Sequence, residues 1–258
     1  MTDDDWKDVT DMYMDSYFEK MRAVLQTIET TQRESLIAAG KTIADSLAEG
    51  GMLQLLDTGH MLMHEGVGRT GGLMALRPIK IDCEISNPTR YRKIEGKQNI
   101  YYDMVDGFPA FVLAKANLTK GDILIIGSVS GYNILPVELA LAAKRMGVTT
   151  IAITSVTYSK ELTSKHPSGK RLFEACDYVL DNCGEFGDAM VPVEELEGKK
   201  ICPSSGIGAS YLLWALECCI VEELVKKGIE PSIYISNHMP NASAINGNSM
   251  NNYEKYGY

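Results

Sequence analysis

The sequence predicts a three-layer α/β domain, a doubly wound parallel sheet of about five strands preceded by a long helical arm. Three observations carry this. Short apolar runs rich in β-branched residues, such as Ile123 to Ile126, are entered and left at glycines, as strands buried on both faces are. Such runs pass through small polar turns into segments with helical character, and this repeated order implies parallel strands joined by right-handed crossovers. Finally, the first fifty residues contain no proline and keep apolar positions at helical spacing before any strand begins.

The arm spans residues 3 to 48, with Met14, Tyr17, Phe18, Met21, Leu25 and Ile28 and then Leu36, Ile37, Ile43 and Leu47 at helical spacing. This is one helix or two, ended by Gly50 and Gly51. Met52 to Leu56 is the first strand. Asp57-Thr58-Gly59-His60 leads from it into a helix over about Met61 to Met74, interrupted by glycines, and Pro78 to Cys83 is a second strand. Residues 84 to 116 are mixed, with a short helix around Tyr101 to Phe111. Ile123 to Ile126 is the third strand, followed by the turn Gly127-Ser128-Val129-Ser130-Gly131-Tyr132-Asn133 and a helix over Ile134 to Met146. Val148 to Thr154 is the next strand and ends in a polar segment reaching Lys160. A helix over Arg171 to Cys176, a short strand at Tyr178 to Leu180 and an apolar helix over Ile207 to Lys227 complete the domain, which spans residues 51 to 235. The tail, 236 to 258, has six asparagines and few aliphatic residues. It cannot form its own core, so it lies on the domain, reaches a neighbouring subunit or is disordered.

Composition excludes some roles. A formal net charge of -9, with 25 scattered Lys and Arg residues, argues against a nucleic-acid partner. No uncharged apolar run reaches the about 18 residues needed to cross a bilayer, and the acidic start is unlike a signal peptide, so the expectation is a cytoplasmic protein without a membrane partner. The six cysteines include no Cys-x-x-Cys pair and read as reduced core residues.

In a doubly wound sheet, ligands collect at the carboxyl ends of the strands, where the turns at 57 to 60, 127 to 133 and 154 to 159 would lie. A turn entering a helix offers free N–H groups and the positive end of the helix dipole, which together favour an anion such as phosphate. Ser128, Ser130 and Asn133 add side-chain donors. The alternative is that Ser130 or Asn133 caps the helix.

The segment Ser128-Val-Ser130-Gly131-Tyr-Asn133 is similar to the Ser-x-Ser-Gly-x-Ser/Thr phosphate loop of the sugar isomerase (SIS) domain family, with an asparagine in place of the last hydroxyl. The resemblance extends over residues 1 to about 235 and implies a flavodoxin-like fold holding a phosphorylated sugar without an organic cofactor. It implies substrate contacts from Thr58, Gly59, Ser128, Ser130, Gly131, Asn133, Ser155 and Ser159. The segment Met63-His64-Glu65-Gly-Val-Gly-Arg69 looks like the helix of phosphoheptose isomerases that carries their base, which implies Glu65 as the base of an aldose–ketose isomerisation. Those enzymes also use a histidine on their last helix, whereas Tyr211 to Cys219 contains none. His60 is a substrate contact or ring-opening group in this reading. Glu65 has a plainer role as the i, i+4 partner of Arg69, and Glu217, in an apolar helix face, is a second carboxylate that fits a buried ion pair better than catalysis. His60, His64 and Glu65 do not make the His-Glu-x-x-His zinc pattern, so no metal is expected. Two other readings stand beside the isomerase: a non-catalytic phosphosugar sensor, and a lyase-like relative of N-acetylmuramic acid 6-phosphate etherase, suggested by Thr154 to Leu180. The resemblance also implies a homodimer or homotetramer.

Overall fold

The computed structural model describes residues 12–82, 102 and 105–258. The arm is two helices, α1 (Tyr13–Thr31) and α2 (Arg33–Ala48), divided at Gln32. The Gln32 side chain accepts the Asp181 N–H at 2.9 Å, which ties the joint between the helices to the far end of the sheet.

Five strands, β1 (Leu53–Asp57), β2 (Leu76–Pro78), β3 (Ile123–Gly127), β4 (Thr149–Thr154) and β5 (Tyr178–Asp181), form one parallel sheet in the order β2-β1-β3-β4-β5. This is the flavodoxin-type order, with its switch point between β1 and β3. Alternation along each strand builds the two outer layers. Leu53 and Leu55, Ile123 and Ile125, and Ile151 and Ile153 enter one buried cluster with α2 and the long helix α7 (Ser205–Lys226). Leu56, Leu124, Ile126 and Ala152 enter the other, with α3 (Phe108–Lys115) and α4 (Ile134–Arg145).

The structure departs from expectation in four places. Residues 61 to 74 are turns and bends with an isolated bridge from Leu73 to Ile233, not a helix. Gly68 and Gly71 take φ of +68° and +89°, and the Asp57 carboxylate accepts the N–H groups of Gly59 and Leu62, a turn that replaces helical hydrogen bonding. The second strand is only Leu76–Pro78, so it begins earlier than Pro78 and its expected end at Cys83 lies outside the described residues. The short helix starts at Phe108, after left-handed Gly107 and with Pro109 in its first turn, rather than near Tyr101, also outside the described residues. Finally, an antiparallel hairpin, β6 (Ala189–Val193) with β7 (Lys199–Pro203), precedes α7 and was not anticipated.

Two short helices, α5 (Val156–Lys160) and α6 (Leu172–Ala175), flank the segment between β4 and β5. The asparagine-rich tail folds into α8 (Ala242–Tyr256) and lies on the domain, with Tyr253 and Tyr258 packed against the first cluster. Cys176, Cys183, Cys202 and Cys219 are half-buried free thiols, while Cys218, expected in the core with them, is exposed. No helix among the described residues is long and apolar enough to cross a membrane.

Candidate functional site

Strand register brings the three polar turns to one edge. Asp57 pairs with Gly127, Gly127 with Ile153, and Thr154 with Asp181, so the carboxyl ends of β1, β3, β4 and β5 form a row.

The turn after β3 is fixed mainly through its carbonyls. Val129 O accepts both the Ser155 N–H (2.9 Å) and the Thr154 hydroxyl (3.0 Å), Gly131 O accepts the Leu172 N–H (2.7 Å), and Tyr132 O accepts the Lys165 N–H (2.9 Å). On the donor side, the Ser128 N–H goes to Ile153 O. The N–H groups from Val129 to Asn133 find no backbone acceptor among the described residues. The loop therefore turns its carbonyls toward β4 and the 165–172 segment and leaves a run of N–H groups at the start of α4. Asn133 stands at the N-cap position yet makes no capping hydrogen bond, so the plain capping role is not used and its amide is free to donate elsewhere. Ser128 is buried and Ser130 half-buried. The Lys165 ammonium lies 4.7 Å from the centre of the Tyr132 ring and brings a cation to this loop.

Gly131 is demanded twice. Its φ is +56°, and a Cβ there would stand 3.0 Å from Leu172 Cβ and 3.1 Å from Thr154 Oγ1. Ser159 lies behind it, its hydroxyl 3.5 Å from that same position, fully buried and without a hydrogen-bond partner. The other two serines expected as contacts differ from each other. Ser130 remains on the loop, whereas Ser155 is fully buried: its hydroxyl donates to Gly184 O and accepts the Tyr158 N–H as the cap of α5. The Ser155 hydroxyl is thus engaged within the chain, because the chain turns into a helix immediately after β4.

The turn after β1 does not repeat the anion-binding arrangement. Both the N–H and the hydroxyl of Thr58 donate to Gly127 O, at 3.0 and 3.1 Å. The Gly59 N–H is taken by the Asp57 carboxylate. A second N–H cluster was expected at this turn, but with no helix after it and a carboxylate of the chain's own in its centre, the turn presents negative rather than positive potential to an anion.

His60 and Glu65 come together, in a cleft of about 710 Å³ formed with Tyr17, Ser210, Tyr211 and Trp214. Glu65 also borders a second cleft with Arg69 and Trp214. No residue of the 128–133 loop lines either one. Glu65 is about half-exposed and sits 3.5 Å from Arg69 Nε, the i, i+4 pairing. His64, not His60, accompanies Thr58 and Gly59, in a cleft of about 520 Å³ that reaches Leu135 in the first turn of α4 and includes Lys80 and Asp82. His60, expected beside Thr58 and Gly59, lines the other cleft, residues 61 to 74 not being the helix that the expectation assumed. His166 is held on the outside of α4: its Nε2 meets Glu138 at 2.8 Å and its Nδ1 meets the Ser168 hydroxyl at 2.7 Å.

Asp188 and Lys165 were not singled out from the sequence. Asp188, at φ +65°, accepts the N–H groups and the hydroxyls of Ser204 and Ser205, so the N-terminus of α7 already holds a carboxylate. An aspartate sixteen residues upstream of Ser204, across a hairpin, carries no sequence signal for that role. Among the described residues, no group of three His, Cys, Asp or Glu is placed to hold a metal ion.

Comparison with known proteins finds relatives over nearly the whole chain. A UPF0309 protein of Shouchella clausii is 32% identical over 239 residues, covering 91% of this chain and 94% of its own. A second, from Oceanobacillus iheyensis, is 31% identical over 249 residues, covering 95% and 96%. Among solved structures, a phosphoheptose isomerase from Francisella tularensis superposes with a TM-score of 0.48 at 14% identity, covering 86% of this chain and all of that one. The sugar isomerase domain of an RpiR transcription factor from Sphaerobacter thermophilus gives 0.43 at 16%, covering 93% and 96%. The SIS domain family model matches residues 16–155, which run from α1 through the 128–133 loop to the end of β4, and this protein belongs to that family.

Proposed function

We propose that the protein binds a phosphorylated sugar, with the phosphate on the 128–133 loop at the N-terminus of α4 and the sugar in the adjoining cleft beside Thr58, His64 and Lys80. The observation that carries this is the run of N–H groups from Val129 to Asn133 left without backbone acceptors while the carbonyls of the same loop are bonded elsewhere. A phosphate supplies acceptors for several of these donors at once, aided by the helix dipole and by Lys165. A cleft of about 520 Å³ is within the usual range for small-molecule sites.

Binding is the part of the reading that this geometry supports best. The isomerase reading needs a base at the sugar carbons. Its candidate, Glu65, borders clefts separate from the one beside Thr58 and His64 in which the sugar is placed, which favours a sensor or carrier role for the single chain. A partner subunit could complete a catalytic site. We include a homo-oligomer in the proposal because α1 leaves Met14 and Phe18 nearly half-exposed.

The test is a thermal-shift series with hexose and heptose phosphates, the free sugars and inorganic phosphate. A phosphosugar at 100 times its Kd should stabilise the native state by about 2.7 kcal/mol, and the free sugar should not. Ser130→Ala should weaken the effect by about ten- to 150-fold in affinity, the worth of one hydrogen bond to a charged group. No shift with any phosphosugar would sink the proposal. For any phosphosugar that binds, incubation in deuterated water separates the readings: label at C1 or C2 with wild type but not with Glu65→Gln indicates isomerase chemistry, and binding without label indicates a sensor. Light scattering at micromolar concentration checks the oligomer, and a monomer mass would remove that part.

A further inference from the structure

Among the described residues two carboxylates, Asp122 and Glu217, are buried, and their surroundings differ. Asp122 is satisfied at both oxygens, by the Met52 N–H and by the Thr119 N–H and hydroxyl. Glu217, only 5% exposed, accepts one hydrogen bond, from the Leu73 N–H at 2.8 Å, and its other oxygen, Oε1, has no partner. It sits on the face of α7 that carries Leu213, Ile220 and Leu224, all in the first core cluster.

Leu73 belongs to the returning limb of the excursion that carries Thr58, His60, His64 and Glu65. That limb is fitted closely to α7. A Cβ at Gly66 would stand 2.3 Å from Leu213 Cδ2, and one at Gly72 would stand 3.3 Å from Trp214. On its other side, residues 71–74 pair with 232–234: the Gly71 N–H donates to Tyr234 O, the Tyr234 N–H to Gly72 O and the Met74 N–H to Ser232 O. The Leu73 N–H points away from that ladder, and Glu217 is its acceptor.

We infer that Glu217 is a positioning residue whose ionisation loosens the 66–74 limb from α7 and thereby unsettles the 58–65 turn, making that turn's placement pH-dependent. In the closed limb a neutral carboxyl accepts the Leu73 N–H at modest cost. An ionised one is a buried charge with a single donor, and it gains most if the limb opens and admits water. Burial pushes the Glu217 carboxyl up to about 7, against the Leu73 N–H, which pulls it down. No charged neighbour contributes to that rise. The charged groups of the surrounding elements are engaged elsewhere: Arg69 of the limb with Glu65, Lys227 of the α7 end with Asp45 of α2, Lys226 with Glu222 and Glu223, and Arg77 of β2 over the Tyr253 ring.

The sign follows from linkage. The closed state holds the proton more tightly than the open one, so opening becomes easier as pH rises from the ordinary carboxylate range to about 7, and levels off above. The inference rests on the proposed binding role only for its effect on ligand affinity, so the deciding measurement uses free protein. Hydrogen exchange of peptides covering 66–76 between pH 5 and 8.5, corrected for intrinsic rates, should show an opening constant rising by up to about tenfold per pH unit below pH 7. Peptides from β3 should not show this rise. Glu217→Gln, which imitates the neutral carboxyl, should flatten the profile. A wild-type profile with no excess rise overturns the inference even if the variant does not fold, and so does an equal rise in β3, which would mean global unfolding. Phosphosugar affinity that falls with pH in wild type relative to Glu217→Gln extends the effect to the site. If no phosphosugar binds at all, the binding role fails while the exchange result still decides the switch.

Discussion

Side by side, Gly131 and Gly68 separate two reasons for a glycine. Both lie at positive φ, +56° and +68°, but nothing stands within 4 Å of a Cβ at Gly68, whereas Leu172 and Thr154 crowd one at Gly131. Gly68→Ala should therefore cost only the backbone term, about 1 kcal/mol. Gly131→Ala should cost that plus displacement of Leu172, about 2–4 kcal/mol in total, and should shift the Val129 to Asn133 N–H groups enough to abolish phosphosugar binding. Urea denaturation with a ligand titration on both variants checks this; equal costs would mean the contacts around Gly131 are slack. The sequence pattern around Gly131 was readable because a strand, small residues and a helix in succession leave few ways for the chain to turn. The role of Ser155 was not readable, since a serine after a strand can cap the next helix or face a ligand equally well, and only the position of Gly184 O decides.

At the level of elements, apolar periodicity located four of the five sheet strands, met the second only at Pro78, and misjudged what lies between the first two. Residues 61 to 74 contain apolar positions compatible with a helix, yet four glycines weaken it and Asp57 offers a competing turn. The β6–β7 hairpin escaped because β6 carries a proline, Pro192, inside its run and β7 opens on the exposed Lys199 and Lys200. That hairpin nonetheless delivers Asp188 to α7, and the element can be tested there. Asp188→Ala removes four hydrogen bonds and a favourable charge at the helix N-terminus, while also placing alanine at φ +65°. The expected loss is about 2–3 kcal/mol, and Asp188→Asn, which keeps an acceptor and tolerates that backbone, should lose less than half as much. Chemical denaturation midpoints of the two variants decide it; equal losses would show that the charge, not the acceptor, matters.

The whole molecule is a sheet whose β2 side is covered by the chain's own end. Composition indicated that the tail could not fold alone, and left its location open among the domain, a neighbour and disorder. Its location depends on single polar contacts that no periodicity encodes. The Asn246 side chain accepts the Ile235 N–H and donates to Ile235 O, a two-point match to a strand edge, and the Ser232 hydroxyl donates to Tyr258 O. Arg77 of β2 covers the Tyr253 ring at 5.3 Å. The 232–234 strap thus pairs with 71–74 on one side and is clamped by α8 on the other, so α8 should stabilise the excursion that carries Thr58 to Glu65 without touching it. Deleting residues 242–258 uncovers two partly buried tyrosines and frees the strap, an expected loss of about 3 kcal/mol from apolar burial alone. Limited proteolysis should then cut first between residues 58 and 75, and the single substitution Asn246→Ala should reproduce a milder form of the same pattern. A truncated chain cut first at its new end, with 58–75 still protected, would mean that α7 holds the excursion unaided and that the tail is only a cover.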